Sequence, residues 1–130
     1  MKRTTWFGVA TFCAVTVAFA TSHGAAHAGD AEKGKALYES RCTSCHSLDH
    51  SRIGPAHRGV FGRRVAQAAG FDYSPALRRS HIVWGAKTLD RWLTNPERLI
   101  PGQKMGYSVS DPQDRADIIA FLESPGARCR

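Results

Sequence analysis

Of all stretches in the chain, Cys42-Thr43-Ser44-Cys45-His46 most restricts what it can fold into. Two thiols three positions apart lie about one helical turn from each other, so each can add across a different vinyl group of one porphyrin. The imidazole that follows directly can turn towards the iron, which separates this pattern from a plain Cys-x-x-Cys. Competing readings are weaker. A zinc site needs a second ligand pair, such as another Cys-x-x-Cys or two spaced histidines, and none follows. A redox dithiol belongs at a strand-to-helix junction in a βαβ setting, and this chain shows no such alternation. A disulfide closing so short a loop adds little stability.

Covalent haem attachment is chemistry of the outer side of an energised membrane, and the N-terminus agrees with it. Lys2 and Arg3 precede an apolar run from Trp6 to Ala20, and small residues lead to Ala26-His27-Ala28. This reads as a signal peptide over 1–28 with an Ala-x-Ala cleavage site, and the run is too short for the ~20 residues that span a bilayer. The mature chain is then one domain over 29–130, periplasmic, with an ordered core over about 29–124 and a short tail over 125–130. Cys13 leaves with the signal, and Cys129 falls in the Pro- and Gly-containing tail, read as inert. The formal charge of +7 drops to +5 without Lys2 and Arg3. No stripe of cations interleaved with exposed aromatics suggests nucleic acid, so an acidic protein partner fits the balance better.

Three main helices and a short turn are predicted. Asp30 caps a first helix reaching about Cys42, with Gly34, Leu37 and Tyr38 on one face, and the mid-helix Gly suggests a close crossing. Ser74 and Pro75 open one short turn, and a helix over about 87–94 stops before Asn95-Pro96. The segment 97–110 has no periodicity. Asp111 and Pro112 open the last helix, whose face of Ile118, Phe121 and Leu122 can pack on Gly34 and Tyr38. With no alternating strand pattern and long loops, the fold class is all-α, and a buried porphyrin supplies apolar volume that the few helices lack.

The loops hold the remaining candidates. A haem-ligating imidazole needs an acceptor for its other ring nitrogen, and the Pro55 carbonyl is available, although Pro55 reads equally as a turn residue. Arg63 or Arg64, with Tyr73 and the indole of Trp84, are the residue types that hold propionates. Met105 is the sole Met after the initiator and sits in a Pro-Gly loop, Ile100-Pro101-Gly102-Gln103-Lys104-Met105. A lone Met is ordinarily core filler, but a thioether here would also complete the iron's coordination and favour Fe(II).

Taken in order, Gly34 with Tyr38, Cys42–His46, Gly54-Pro55, Gly59-Val60-Phe61-Gly62-Arg63, Gly70-Phe71-Asp72-Tyr73, Ile82-Val83-Trp84, Asn95-Pro96, the Met105 loop and Asp114–Asp117 resemble the class I c-type cytochromes, the group of mitochondrial cytochrome c and bacterial cytochromes c2 and c550. The resemblance implies the cytochrome c fold around one covalent haem c, thioether links at Cys42 and Cys45, and His46 and Met105 as axial ligands. It also implies Pro55 as acceptor for His46, with Arg63, Tyr73, Trp84 and Gln103 around the propionates, although Gln103 stands in place of the family's Thr. His57 departs from the usual Leu, Trp92 from a Tyr and Leu77 from an Asn. The implied function is a monomeric electron carrier, not an enzyme. Its partners would be acidic-faced redox proteins: a quinol-oxidising complex, a terminal oxidase, a photosynthetic centre or a dehydrogenase. The membrane is met only through them. The alternative is a haem enzyme or gas-binding subunit with an open sixth position.

Overall fold

A computed structural model describes residues 28–129, so the signal segment proposed over 1–28 lies almost wholly outside it. Among the described residues six helices follow one another: α1 (Ala31–Arg41), α2 (Pro75–Arg79), α3 (Ala86–Thr94), α4 (Pro96–Leu99), α5 (Pro112–Glu123) and α6 (Pro125–Arg128). Among the described residues the only β pairing is an isolated bridge between Arg64 and Val83. The all-α expectation holds.

Crossing of α1 and α5 makes the frame. Gly34 sits at the crossing, where a Cβ would lie 1.8 Å from the Asp117 carbonyl oxygen, so the two backbones touch because no side chain intervenes. Buried Asp117 accepts the Asp30 N–H at 2.8 Å and the Gln113 side-chain amide at 2.8 Å, which ties the start of α1 to α5. One turn on, Tyr38 packs on Phe121 with centroids 5.2 Å apart, and Arg41 pairs with Asp114 at 2.8 Å. The third helix joins through Arg115, whose guanidinium meets Asp90 at 2.7 Å, and through Val109 N–H to Leu93 C=O at 2.7 Å.

Helix starts follow the side chains that satisfy their free N–H groups. Asp30, Ser74 and Asp111 each accept from the first turn, and Pro75 and Pro112 occupy N1 where no donor is needed. The same chemistry forms α4, which the lack of periodicity hid: Asn95 accepts from Arg98 N–H at 2.9 Å and Pro96 follows it. The tail also departs from expectation. Residues 125–128 form α6, and Ala127 is fully buried, its carbonyl taking the Gly59 N–H at 3.0 Å. Arg58 adds bonds to the Gly126 and Cys129 carbonyls while pairing with Asp49, so backbone carbonyls hold this end down. Cys129 itself is exposed.

Candidate haem site

Between α1, α3 and the loops lies a cavity of about 880 Å³, within the range that a cofactor fills. Cys42, Cys45, His46, Pro55, Arg63, Tyr73, Trp84 and Met105 all line it, so the fold gathers eight of the nine predicted residues.

The attachment segment continues the end of α1. Cys42 caps the helix in right-handed geometry, and its carbonyl accepts from both Cys45 N–H (3.1 Å) and His46 N–H (2.9 Å). That extra turn brings both thiols to one wall. Burial pushes the Cys42 thiol up to about 11, so the free side chain stays protonated at neutral pH.

His46 is 9% exposed and its Nδ1–H donates to the Pro55 carbonyl at 2.9 Å, which leaves the Nε2 lone pair unprotonated. Burial lowers its pKa, and the Pro55 bond opposes that shift without reversing it. The loop closes through Gly54 N–H to Cys45 C=O at 2.8 Å. Gly54 is required here: a Cβ would stand 2.2 Å from the His46 Cε1 and 2.6 Å from Nδ1, in space the ring occupies.

Met105 also lines the cavity; it is partly buried and its Sδ accepts the Trp92 indole N–H at 3.2 Å. Gln103 departs from its predicted place. It does not line the cavity; its Oε1 accepts the Met105 N–H and its Nε2 donates to Glu97 at 3.2 Å. Glu97 also accepts from Gly102 N–H, at 2.9 Å. The side chain is therefore spent on holding the methionine loop, work that a residue type alone does not reveal.

Arg63 lines the cavity and is braced by donations to the Arg58 and Ala56 carbonyls, each 2.9 Å. Arg64, which forms the bridge with Val83, is exposed and meets His81 at 3.0 Å, and it does not line the cavity. Trp84 is held beside Arg63 by N–H to C=O bonding at 2.9 Å. The Tyr73 hydroxyl accepts the Ala68 N–H at 3.1 Å, which leaves its proton to donate. Buried Ser74 also lines the cavity; sequence reasoning used it only as a helix cap, and its place directly after Tyr73 was the available signal. His57 stacks on His46 with centroids 4.0 Å apart.

These residues fit a covalently bound haem. Two thiols, a neutral imidazole with its second nitrogen satisfied and a soft thioether line the same cavity, together with Arg63 and a Tyr73 hydroxyl that keeps a proton to donate to a carboxylate.

Comparison with known proteins agrees with this chemistry. The family model for cytochrome c matches residues 31–125. Cytochrome c of Cochliobolus lunatus is 42% identical over 99 residues, 73% of this chain and 92% of that protein. Cytochrome c2 of Rhodopila globiformis is 41% identical over 104 residues, 78% of this chain and 98% of the relative. Among solved structures, cytochrome cH from Methylobacterium extorquens superposes with a TM-score of 0.70 at 36% identity, over 73% of this chain and 98% of that one.

Proposed function

This chain belongs to the cytochrome c family, and from that premise we propose that it is an exported monohaem carrier whose iron is held by His46 and Met105. Members of the family carry one covalent haem c and transfer electrons, and Cys42 and Cys45 are its attachment pair here. The observation that supports the assignment of ligands is that one cavity is lined by both His46, with Nδ1 committed to Pro55, and Met105, whose sulfur accepts from Trp92.

The haem supplies one-electron chemistry between Fe(III) and Fe(II). The chain's own residues do the rest. His46 stays neutral because burial disfavours its cation and Pro55 takes its Nδ1 proton. Arg63, the Tyr73 hydroxyl, the Trp84 indole and Ser74 line the cavity and would provide charge and donors to the propionates. If His46 and Met105 both hold the iron, no position on it would be left for a substrate, which suits a carrier.

Electrons would leave beside the lining residues that are exposed, Arg52, Ile53, Lys104 and Tyr107. A net positive chain suits a partner with an acidic face, docked briefly and weakened by salt. A quinol-oxidising complex on one side and an oxidase, photosynthetic centre or dehydrogenase on the other are the partners in view. The segment 1–28 acts as the export signal and 29–130 as the mature periplasmic domain.

A redox titration of protein recovered from the periplasm, together with Met105→Ala, tests the reading. Loss of the thioether should lower the potential and open the reduced iron to carbon monoxide. A native protein that binds carbon monoxide readily, or a variant with unchanged spectrum and midpoint, overturns it.

A further inference from the structure

The Nδ1–Pro55 bond fixes which nitrogen of His46 faces the cavity, but hydrogen bonds to carbonyls accept a broad range of directions, so it defines the tilt of the ring only loosely. Two other contacts act on the faces of the ring. A Cβ on Gly54 would lie 2.2 Å from Cε1, 2.6 Å from Nδ1 and 2.7 Å from Nε2, a set of distances that places it directly above the ring plane. The Gly54 backbone therefore rests flat on one face. His57 stacks with its centroid 4.0 Å away and its plane within 22° of that of His46. The three atoms nearest to the Gly54 position all belong to His46 and none to His57, so His57 covers the opposite face.

His57 is itself rigid. Its N–H bonds to Ser47 C=O at 2.9 Å, its C=O accepts from Val60 N–H at 2.8 Å, and Arg63 is anchored to the carbonyls on either side of it. Its Nδ1 is sealed from solvent and has no hydrogen-bond partner, so what it offers His46 is a flat surface.

We propose that His57 is a positioning residue: with the Gly54 backbone it clamps the His46 imidazole from both faces and fixes the angle at which that plane meets the haem. The inference rests on His46 being an axial ligand. It matters for the reaction because the plane of an axial imidazole sets which iron d orbital holds the unpaired electron of the ferric state, and so how spin density spreads over the macrocycle towards the exposed edge.

The test is electron paramagnetic resonance and proton NMR on ferric, haem-loaded wild type, His57→Leu, which keeps bulk without a flat ring, and His57→Phe, which restores a plate. The clamp requires that Leu broaden or shift the g-values and change the spread of the haem methyl resonances while low-spin His–Met ligation persists. Phe should return both towards wild type. Identical g-values and methyl spread in the Leu variant, or a Phe variant no nearer to wild type than Leu, overturn the clamp alone. A wild-type protein without the low-spin His–Met signature overturns the ligation reading and the clamp with it.

Discussion

Replacing Gly34 by Ala sets two effects of opposite sign against each other. Helix propensity favours Ala by about 1 kcal/mol at an interior position of a helix such as α1. Sterics oppose it: the new Cβ would lie 1.8 Å from the Asp117 oxygen, 2.4 Å from the Asp117 carbonyl carbon and 3.0 Å from the Ile118 nitrogen. Ordinary contact begins at 3.4 Å, so α1 and α5 must part by about 1.6 Å, and no side chain can yield because all three obstacles are backbone. Overpacking of a tight contact costs about 1–3 kcal/mol. Parting also strains the Asp30–Asp117 and Arg41–Asp114 links on either side of the crossing. With backbone on both sides and two links strained, the steric cost falls at the top of that range, about 3 kcal/mol; the net loss of about 2 kcal/mol should lower the melting temperature by roughly 8–16 °C in a domain of this size. Circular dichroism melts of the haem-loaded protein measure it, with Gly126→Ala as control, since a Cβ there meets only the Ser124 hydroxyl at 3.8 Å. A Gly34→Ala protein that melts at or above wild type would refute the close crossing.

Three further outcomes are expected. Trp92→Phe removes the N–H that draws density from the Met105 sulfur; a differential loss of about 0.5–1 kcal/mol against Fe(II) should lower the reduction potential by roughly 20–40 mV. A potential that rises, with Met105 still bound, contradicts this. Tyr38→Phe deletes a hydroxyl sealed in the core without a partner, and denaturant titration should show stability gained by about 1 kcal/mol, whereas a loss would reveal a partner for it. Acid should weaken the fold through the helix caps. The Asp30 and Asp111 carboxylates are held below 3.8, chiefly by the Lys33 and Asp114 N–H groups respectively. With folded values below the unfolded ones, their contribution is complete above about pH 4 and is lost as pH falls through the depressed values. Asp111→Asn, which retains the cap without the charge, should flatten that part of an acid melt.

Local chemistry made much of this legible. Cys42, Cys45 and His46 are a contiguous motif whose spacing is itself the signal, and the Asp30, Ser74 and Asp111 caps act on residues two or three positions away. Where such signals were present but unaccompanied by periodicity, as at Asn95-Pro96 and Ser124-Pro125, the short helices α4 and α6 were missed. Gln103 was misplaced and Ser74 undervalued for one reason: a polar side chain serves whichever donor or acceptor the fold brings to it, and those lie on other segments.

Thus the order of residues alone determined the covalent attachment point, the starts of α1, α2 and α5 and the need for a backbone crossing at Gly34, because each depends on bonding between near neighbours or on a missing side chain. Tertiary structure alone decided that Arg63 rather than Arg64 faces the cavity, that Gln103 holds the methionine loop, and that His57 lies flat on His46. Those are matters of orientation between segments far apart in the chain, and a side chain's direction is fixed only once the backbones that carry it are packed.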